Sequence, residues 1–211
     1  MSQRLIYIMD PMCSWCWGFA PVVDAIQAAH PELPIHLVAG GLRPGVTDPM
    51  QDSARQALAE HWQAVREASG QPLLDPAGLP TNFVYNTEPA CRALVVAREL
   101  DAERLWPLAK SVQHAFYARA LDVTQCSVLA DLAEQAGYAR SRFSRAFVAE
   151  AALTAVNADF SWVAGLGISG FPTLLAERDG MLALLSNGYQ PAEGILALLQ
   201  RWVEAGERSA D

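Results

Sequence analysis

The chain has 211 residues, 52% of them apolar and 18% charged, the proportions of an ordinary globular protein with enough material to bury a sizeable core. Its net charge of −8 argues against a nucleic-acid partner, which would need clustered Lys and Arg. No apolar run approaches the roughly 18 residues that a membrane-spanning helix requires.

The first predicted element is a strand over Leu5 to Met9, a continuous apolar run suited to a sheet covered on both faces. Five residues are too few for the core of a signal peptide. The protein is therefore expected where it is made, most simply in a bacterial cytoplasm. In such a reducing compartment its four cysteines are expected to be catalytic or metal-binding rather than structural. A short loop carrying Cys13 and Cys16 leads into a helix through about Ala29, with Phe19, Val22, Val23 and Ile26 as its apolar face. His30-Pro31 ends it, and a second strand, Ile35 to Ala39, completes a βαβ unit.

From about Pro49 to Gly167 the pattern turns helical. Asp48-Pro49 reads as N-cap and first-turn proline of a helix reaching Ser69, with Gly70 as its stop. A Pro- and Gly-rich loop follows to Asn86. Thr87-Glu88-Pro89 opens a helix to about Leu100, and further helices are predicted at about 102–120, 125–136, 140–149 and 151–166. Strand character returns at Thr173–Ala176 and Met181–Leu185, separated by a turn at Glu177–Gly180. A last amphipathic helix spans about Ala192 to Ala205, and disorder is expected only from about Gly206 onward. The predicted class is α/β: residues 1–48 and 168–211 build one mixed central sheet, and 49–167 form a large inserted α-helical subdomain.

Cys13-Ser14-Trp15-Cys16 lies where a strand feeds a helix. Cys13 falls at the helix N-terminus, where unsatisfied N–H groups and the helix dipole favour a thiolate. Cys16 lies three positions on, along the same face. It is expected to stay protonated until a mixed disulfide forms on Cys13, then to attack that bond. Cys-x-x-Cys is also half of a zinc site, but Cys91 and Cys126 are distant in sequence and no His-x-x-x-His accompanies them. Far along the chain, Gly170-Phe171-Pro172-Thr173 precedes a strand. Pro172 is there as a strand-entry residue or as a cis proline. In the cis form it would turn the Phe171 backbone toward Cys13 and offer its N–H and C=O to an extended substrate.

Four segments, Asp10-Pro-Met-Cys-Ser-Trp-Cys-Trp-Gly18, Asn86-Thr-Glu-Pro-Ala-Cys-Arg92, Phe116-Tyr117 with Asp122, and Gly167-Ile-Ser-Gly-Phe-Pro-Thr173, together resemble the cytoplasmic DsbA-like proteins of the FrnE-like branch. The resemblance implies a thioredoxin fold with a helical insertion and dithiol–disulfide exchange on protein substrates. By it Cys13 is the nucleophile, Cys16 the resolving thiol and Pro172 a cis proline facing them. Ser14, Trp15, Phe171 and Pro172 would contact substrate. Ser14-Trp15 stands where periplasmic DsbA has Pro-His, so a milder potential, suited to reduction or isomerisation, is expected. No bound cofactor or metal is implied. Glutathione or a thioredoxin-type protein would serve as reductant, and protein thiols and disulfides as substrates.

Two other functions remain at this stage. Related branches contain glutathione-dependent transferases of the kappa class and hydroxychromene-carboxylate isomerases, in which a serine typically replaces the first cysteine. A non-catalytic holdase using a Trp-lined groove is the third reading. Among lesser candidates, Trp15 is an exposed docking surface or packs on the helical subdomain, and Trp17 is expected in the core. Cys91 is a buried free cysteine or a third redox thiol, with Cys126 similarly ambiguous. His114 is a packing or surface residue, or a proton shuttle in the cleft. Asp10 forms a turn before Pro11 or tunes Cys13 electrostatically.

Overall fold

A computed structural model describes residues 3–208. Strands β1 (Gln3–Met9), β2 (Ile35–Ala39), β3 (Thr173–Arg178) and β4 (Met181–Asn187) make one mixed sheet in the order β2-β1-β3-β4. β1 runs parallel to β2, with helix α1 (Ser14–Ala29) between them in the chain, and antiparallel to β3. Register sets the site: Ile8 lies opposite Thr173, so the end of β1, where the Cys loop begins, adjoins the start of β3, where Pro172 sits.

Every residue from Leu5 to Met9 is buried, because both faces of β1 are covered and side chains alternate between them. Leu5, Tyr7 and Met9 join the main core with Phe19, Val23 and Ile26 of α1. Ile6 and Ile8 point the other way, onto Val38, Leu175 and Val163.

Six helices lie between β2 and β3: α2 (Asp52–Ser69), α3 (Glu88–Leu100), α4 (Leu105–Arg119), α5 (Cys126–Gln135), α6 (Arg140–Val148) and α7 (Glu150–Gly165). Helix α8 (Ala192–Arg208) follows the sheet. α2, α4 and α8 pack around α1, while α3 and α7 pack against β2. One ion pair locks the second group. Arg98 donates to both oxygens of Asp159 at 2.8 and 2.9 Å and to the Leu37 carbonyl at 2.8 Å, and Asp159 accepts from the Ala39 N–H at 2.9 Å.

Several boundaries differ from the sequence reading; β1 begins at Gln3 and β4 runs to Asn187, each two residues beyond the predicted strand. α2 begins at Asp52, not at Asp48-Pro49, because the Met50 N–H donates to the Phe83 carbonyl at 2.9 Å and draws that segment into the neighbouring loop. Its stop is as expected: Gly70 has φ of 72°. The helix expected from 102 opens as a 3₁₀ turn, Ala102–Arg104, with the Asp101 carboxylate accepting from Glu103 N–H. The hairpin reverses in two residues, Asp179 and Gly180, both at positive φ (50° and 82°), the tight form that suits strand twist, so β3 continues through Glu177 and Arg178. α8 runs to Arg208, which corrects the expected disorder at 206–208, and 209–211 lie outside the described residues. No helix among the described residues is long and apolar enough to cross a membrane.

Candidate active site

The chain leaves β1 into a tight turn built by Asp10. Its carbonyl accepts from the Cys13 N–H at 3.0 Å and its carboxylate from the Met12 N–H at 2.8 Å. Cys13 is the N-cap of α1: its backbone is extended (φ −88°, ψ 116°), and its carbonyl accepts from Cys16 and Trp17 N–H at 3.0 and 3.1 Å. No side chain caps the helix, which leaves the positive end of its dipole to the Cys13 sulfur.

That sulfur lies 3.5 Å from the Phe171 carbonyl oxygen, and the Phe171–Pro172 peptide is cis. The loop is held from both sides. Gly188 N–H donates to the Pro172 carbonyl at 2.7 Å, and the Thr173 hydroxyl to the Gly170 carbonyl at 2.8 Å. The Phe171 ring occupies space that only a glycine at position 40 leaves open, since a Cβ there would run into its Cε1, Cζ and Cδ1 atoms.

Cys16 lies one turn behind Cys13 and is fully buried. Burial pushes its thiol well above the ordinary range, and the adjacent Cys13 adds to the shift. Beneath it Tyr7 is also fully buried; burial first, then the Cys16 and Cys13 sulfurs, hold its hydroxyl protonated.

Cys13, Ser14, Trp15 and Phe171 line one cleft of about 560 Å³. Cys16 and Pro172 sit behind this wall as buried residues. Trp15 is half-buried and packs on α2 of the helical block, one of its two expected readings. Its ring meets His61 edge-on at 5.8 Å and Tyr189 at 5.4 Å, yet it still faces the cleft. Opposite, α2 presents Ala54, Ala57, Leu58 and His61, a three- and four-residue spacing that puts all of them on one helix face.

Asp10 does more than turn the chain. Fully buried, its carboxylate also accepts from the Leu42 N–H at 2.6 Å and from the Cys91 thiol at 3.3 Å. Burial raises its carboxyl, while hydrogen bonds from Thr87, Leu42, Met12 and Cys91 pull the other way. Cys91 is thus a buried thiol, held well above its ordinary value by burial and then by Asp10. Cys126 is partly exposed at the start of α5. His114 lines a different cavity, edge-on to Trp17 at 6.3 Å, and Trp17 is core. Among the described residues no group of three or more His, Cys, Asp or Glu side chains could hold a metal ion.

Sequence reasoning missed Gly40, Arg43, Tyr85 and the inner face of α2. The last was readable as an apolar stripe; the others depend on residues far away in the chain.

Comparison with known proteins agrees with this fold. The DSBA-like thioredoxin domain matches residues 4–200. The chain belongs to that family. As a DSBA-like protein it is similar to a candidate protein disulfide isomerase from Nitrosomonas europaea, with 37% identity, TM-score 0.91, and coverage of 97% of this chain and 99% of that one. It is also similar to the cytosolic disulfide reductase DsbM from Pseudomonas aeruginosa, with 26% identity, TM-score 0.80, and coverage of 96% and 99%. DsbM solved with GSH matches at 25% identity and TM-score 0.76, over 94% of this chain and 98% of that one. The ClpXP adapter protein SpxH of Bacillus subtilis is 20% identical over 200 residues; the match takes in 92% of this chain but only 66% of SpxH.

Proposed function

We propose that this DSBA-like protein is a dithiol–disulfide oxidoreductase and isomerase of the FrnE-like branch, with Cys13 as nucleophile and Cys16 as resolving thiol. One observation carries the reading. The Cys13 sulfur stands at an uncapped helix start, 3.5 Å from the carbonyl of the residue before the cis proline, with a second, buried thiol one turn behind.

The chemistry follows from the different surroundings of the two sulfurs. Cys13, at the helix N-terminus, attacks as its thiolate one sulfur of a substrate disulfide. A Cys13–substrate disulfide forms, and the other substrate sulfur leaves as a thiolate and takes up a proton. Cys16 then loses its proton and attacks the Cys13 sulfur. The Cys13–Cys16 disulfide forms and the second substrate thiol is released. Two electrons have passed from the protein dithiol to the substrate, and two molecules of a monothiol return them, becoming a disulfide. Resolution by a second thiol of the substrate, in place of Cys16, is isomerisation. The Phe171 backbone beside Cys13 supports strand-like binding of an extended segment.

Glutathione is the reductant this reading favours, supported by the DsbM structure with GSH. A reducing, cytosolic setting is proposed on the same likeness. Residues 1–48 and 168–211 supply the two thiols and the proline loop, and the block 49–167 supplies α2 as the facing wall.

Insulin reduction with glutathione, refolding of a scrambled disulfide protein and alkylation across pH test the proposal. Cys13→Ser is expected to abolish both activities, and Cys16→Ala to trap a mixed disulfide. If both variants kept full turnover the reading would fail. Full turnover in Cys16→Ala alone would move the assignment to a monothiol glutathione enzyme of the kappa or hydroxychromene-carboxylate isomerase kind.

A further inference from the structure

The cleft above Cys13 is mostly apolar, walled by Trp15, Leu42, Leu58 and Phe171. No Asp or Glu lines it, and Arg43 is its one Lys or Arg among the described residues. Within those residues the Arg43 guanidinium makes no ion pair with a carboxylate. It sits over the face of Tyr85, 5.4 Å from the ring centroid, a seat that orients the cation while its N–H groups stay available.

This seat is anchored to the nucleophile's own loop. Tyr85 donates its hydroxyl to the Met12 carbonyl, one residue before Cys13. Arg43 N–H donates to the Thr87 hydroxyl at 3.0 Å, and its carbonyl accepts from Thr87 N–H at 3.2 Å. The preceding amide, Leu42 N–H, is held by Asp10. An unpaired guanidinium, fixed relative to a reactive sulfur in a cleft without other charge of its kind, is suited to fork onto a carboxylate.

The charge of the whole chain sharpens the point. At a net −8 the protein repels anions at long range, so an anionic substrate needs a local cation at the point of reaction. Glutathione and its disulfide carry two carboxylates per ammonium group, hence net negative charge. We propose that Arg43 binds a carboxylate of a small acidic thiol or disulfide of the glutathione class and so turns its sulfur toward Cys13. This deepens the proposed function and rests on it: Arg43 would set which thiol exchanges, and Cys13 would do the exchange.

The test uses the reduced full-length protein and two disulfides, glutathione disulfide and the uncharged 2-hydroxyethyl disulfide, with Cys13 consumption followed by rapid quench and alkylation. The readout is the ratio of the two second-order rate constants. Arg43→Gln is expected to lower this ratio about tenfold, equivalent to about 1.4 kcal/mol, and Arg43→Lys by less. Salt screens both the long-range repulsion and the Arg43 attraction, so the ratio should rise with salt in Arg43→Gln and rise less, or fall, in the wild type. A ratio unchanged in Arg43→Gln, with either both rates retained or both lost alike, would overturn the assignment of Arg43 and leave the redox reading standing. If the wild-type protein reacted with neither disulfide, the redox reading itself would fall.

Discussion

Two cavities flank helix α1, and they are nearly the same size. One, of about 560 Å³, opens over Cys13; the other, of about 580 Å³, opens over Trp17 and is lined by Asp24, Lys110, His114 and Arg119. The second holds more charge, but Lys110 is already paired with Asp24 at 2.8 Å, and no thiol reaches it. Among the described residues the first has one cation outside any ion pair, one sulfur beside a backbone carbonyl, and apolar walls. Volume does not separate them; the chemistry of the lining does.

That contrast can be broken most sharply at the sulfurs. Cys13→Ser should reduce disulfide exchange by roughly a thousandfold or more, whereas Arg119→Gln in the opposite cavity should leave the insulin reduction rate within about twofold. Equal losses from the two changes would make the comparison meaningless.

The next largest effect is expected at Gly40. A methyl group there must displace the Phe171 ring, and with it the carbonyl that faces Cys13. Gly40→Ala should destabilise the fold by about 1–3 kcal/mol in urea unfolding and slow exchange at Cys13. A variant with wild-type stability and rate would show that the proline loop moves freely without consequence.

Asp10, buried behind the cleft, offers a pH-dependent test of the turn that carries Cys13. Burial raises its carboxyl above the ordinary 3.8, so the folded chain holds that proton more tightly than the unfolded one. The stability it lends is complete below about pH 4 and is lost as pH climbs through the raised value. Asp10→Asn removes this dependence, so wild type minus variant should decline over that range in urea titrations. A flat difference would contradict the role given to burial.

The smallest effect belongs to the Trp17 side. The Asp24–Lys110 pair is 46% and 38% exposed, and pairs of that kind contribute about 0–1 kcal/mol. Asp24→Asn should shift the unfolding midpoint little and leave turnover intact. A large loss of activity would give this cavity a part in the reaction.

How far the sequence carried depends on how local each feature is. β1, α1 and β2 were readable because apolar runs and helical spacing are properties of adjacent residues, and Cys13 and Cys16 declared themselves by standing at the join. Phe171-Pro172 stood out as a proline before a strand. The start of α2 was misjudged because Met50 answers to Phe83, thirty-three residues on. The parts of the cleft that shape it were hidden for the same reason: Asp10 reaches Leu42 and Cys91, Gly40 makes room for Phe171, and Arg43 rests on Tyr85. Each is a contact that exists only after the chain has folded back on itself.

The sheet order has a further consequence for the protein's own synthesis. β1 sits between β2, its near neighbour in sequence, and β3, which lies more than 160 residues further along the chain. At about 5–20 residues per second, a ribosome would emit the two cysteines on the order of ten to thirty seconds before the proline loop that will cover them. During that interval the nascent polypeptide carries a bare thiol pair without its lid, and small thiols in the surrounding medium would decide its oxidation state.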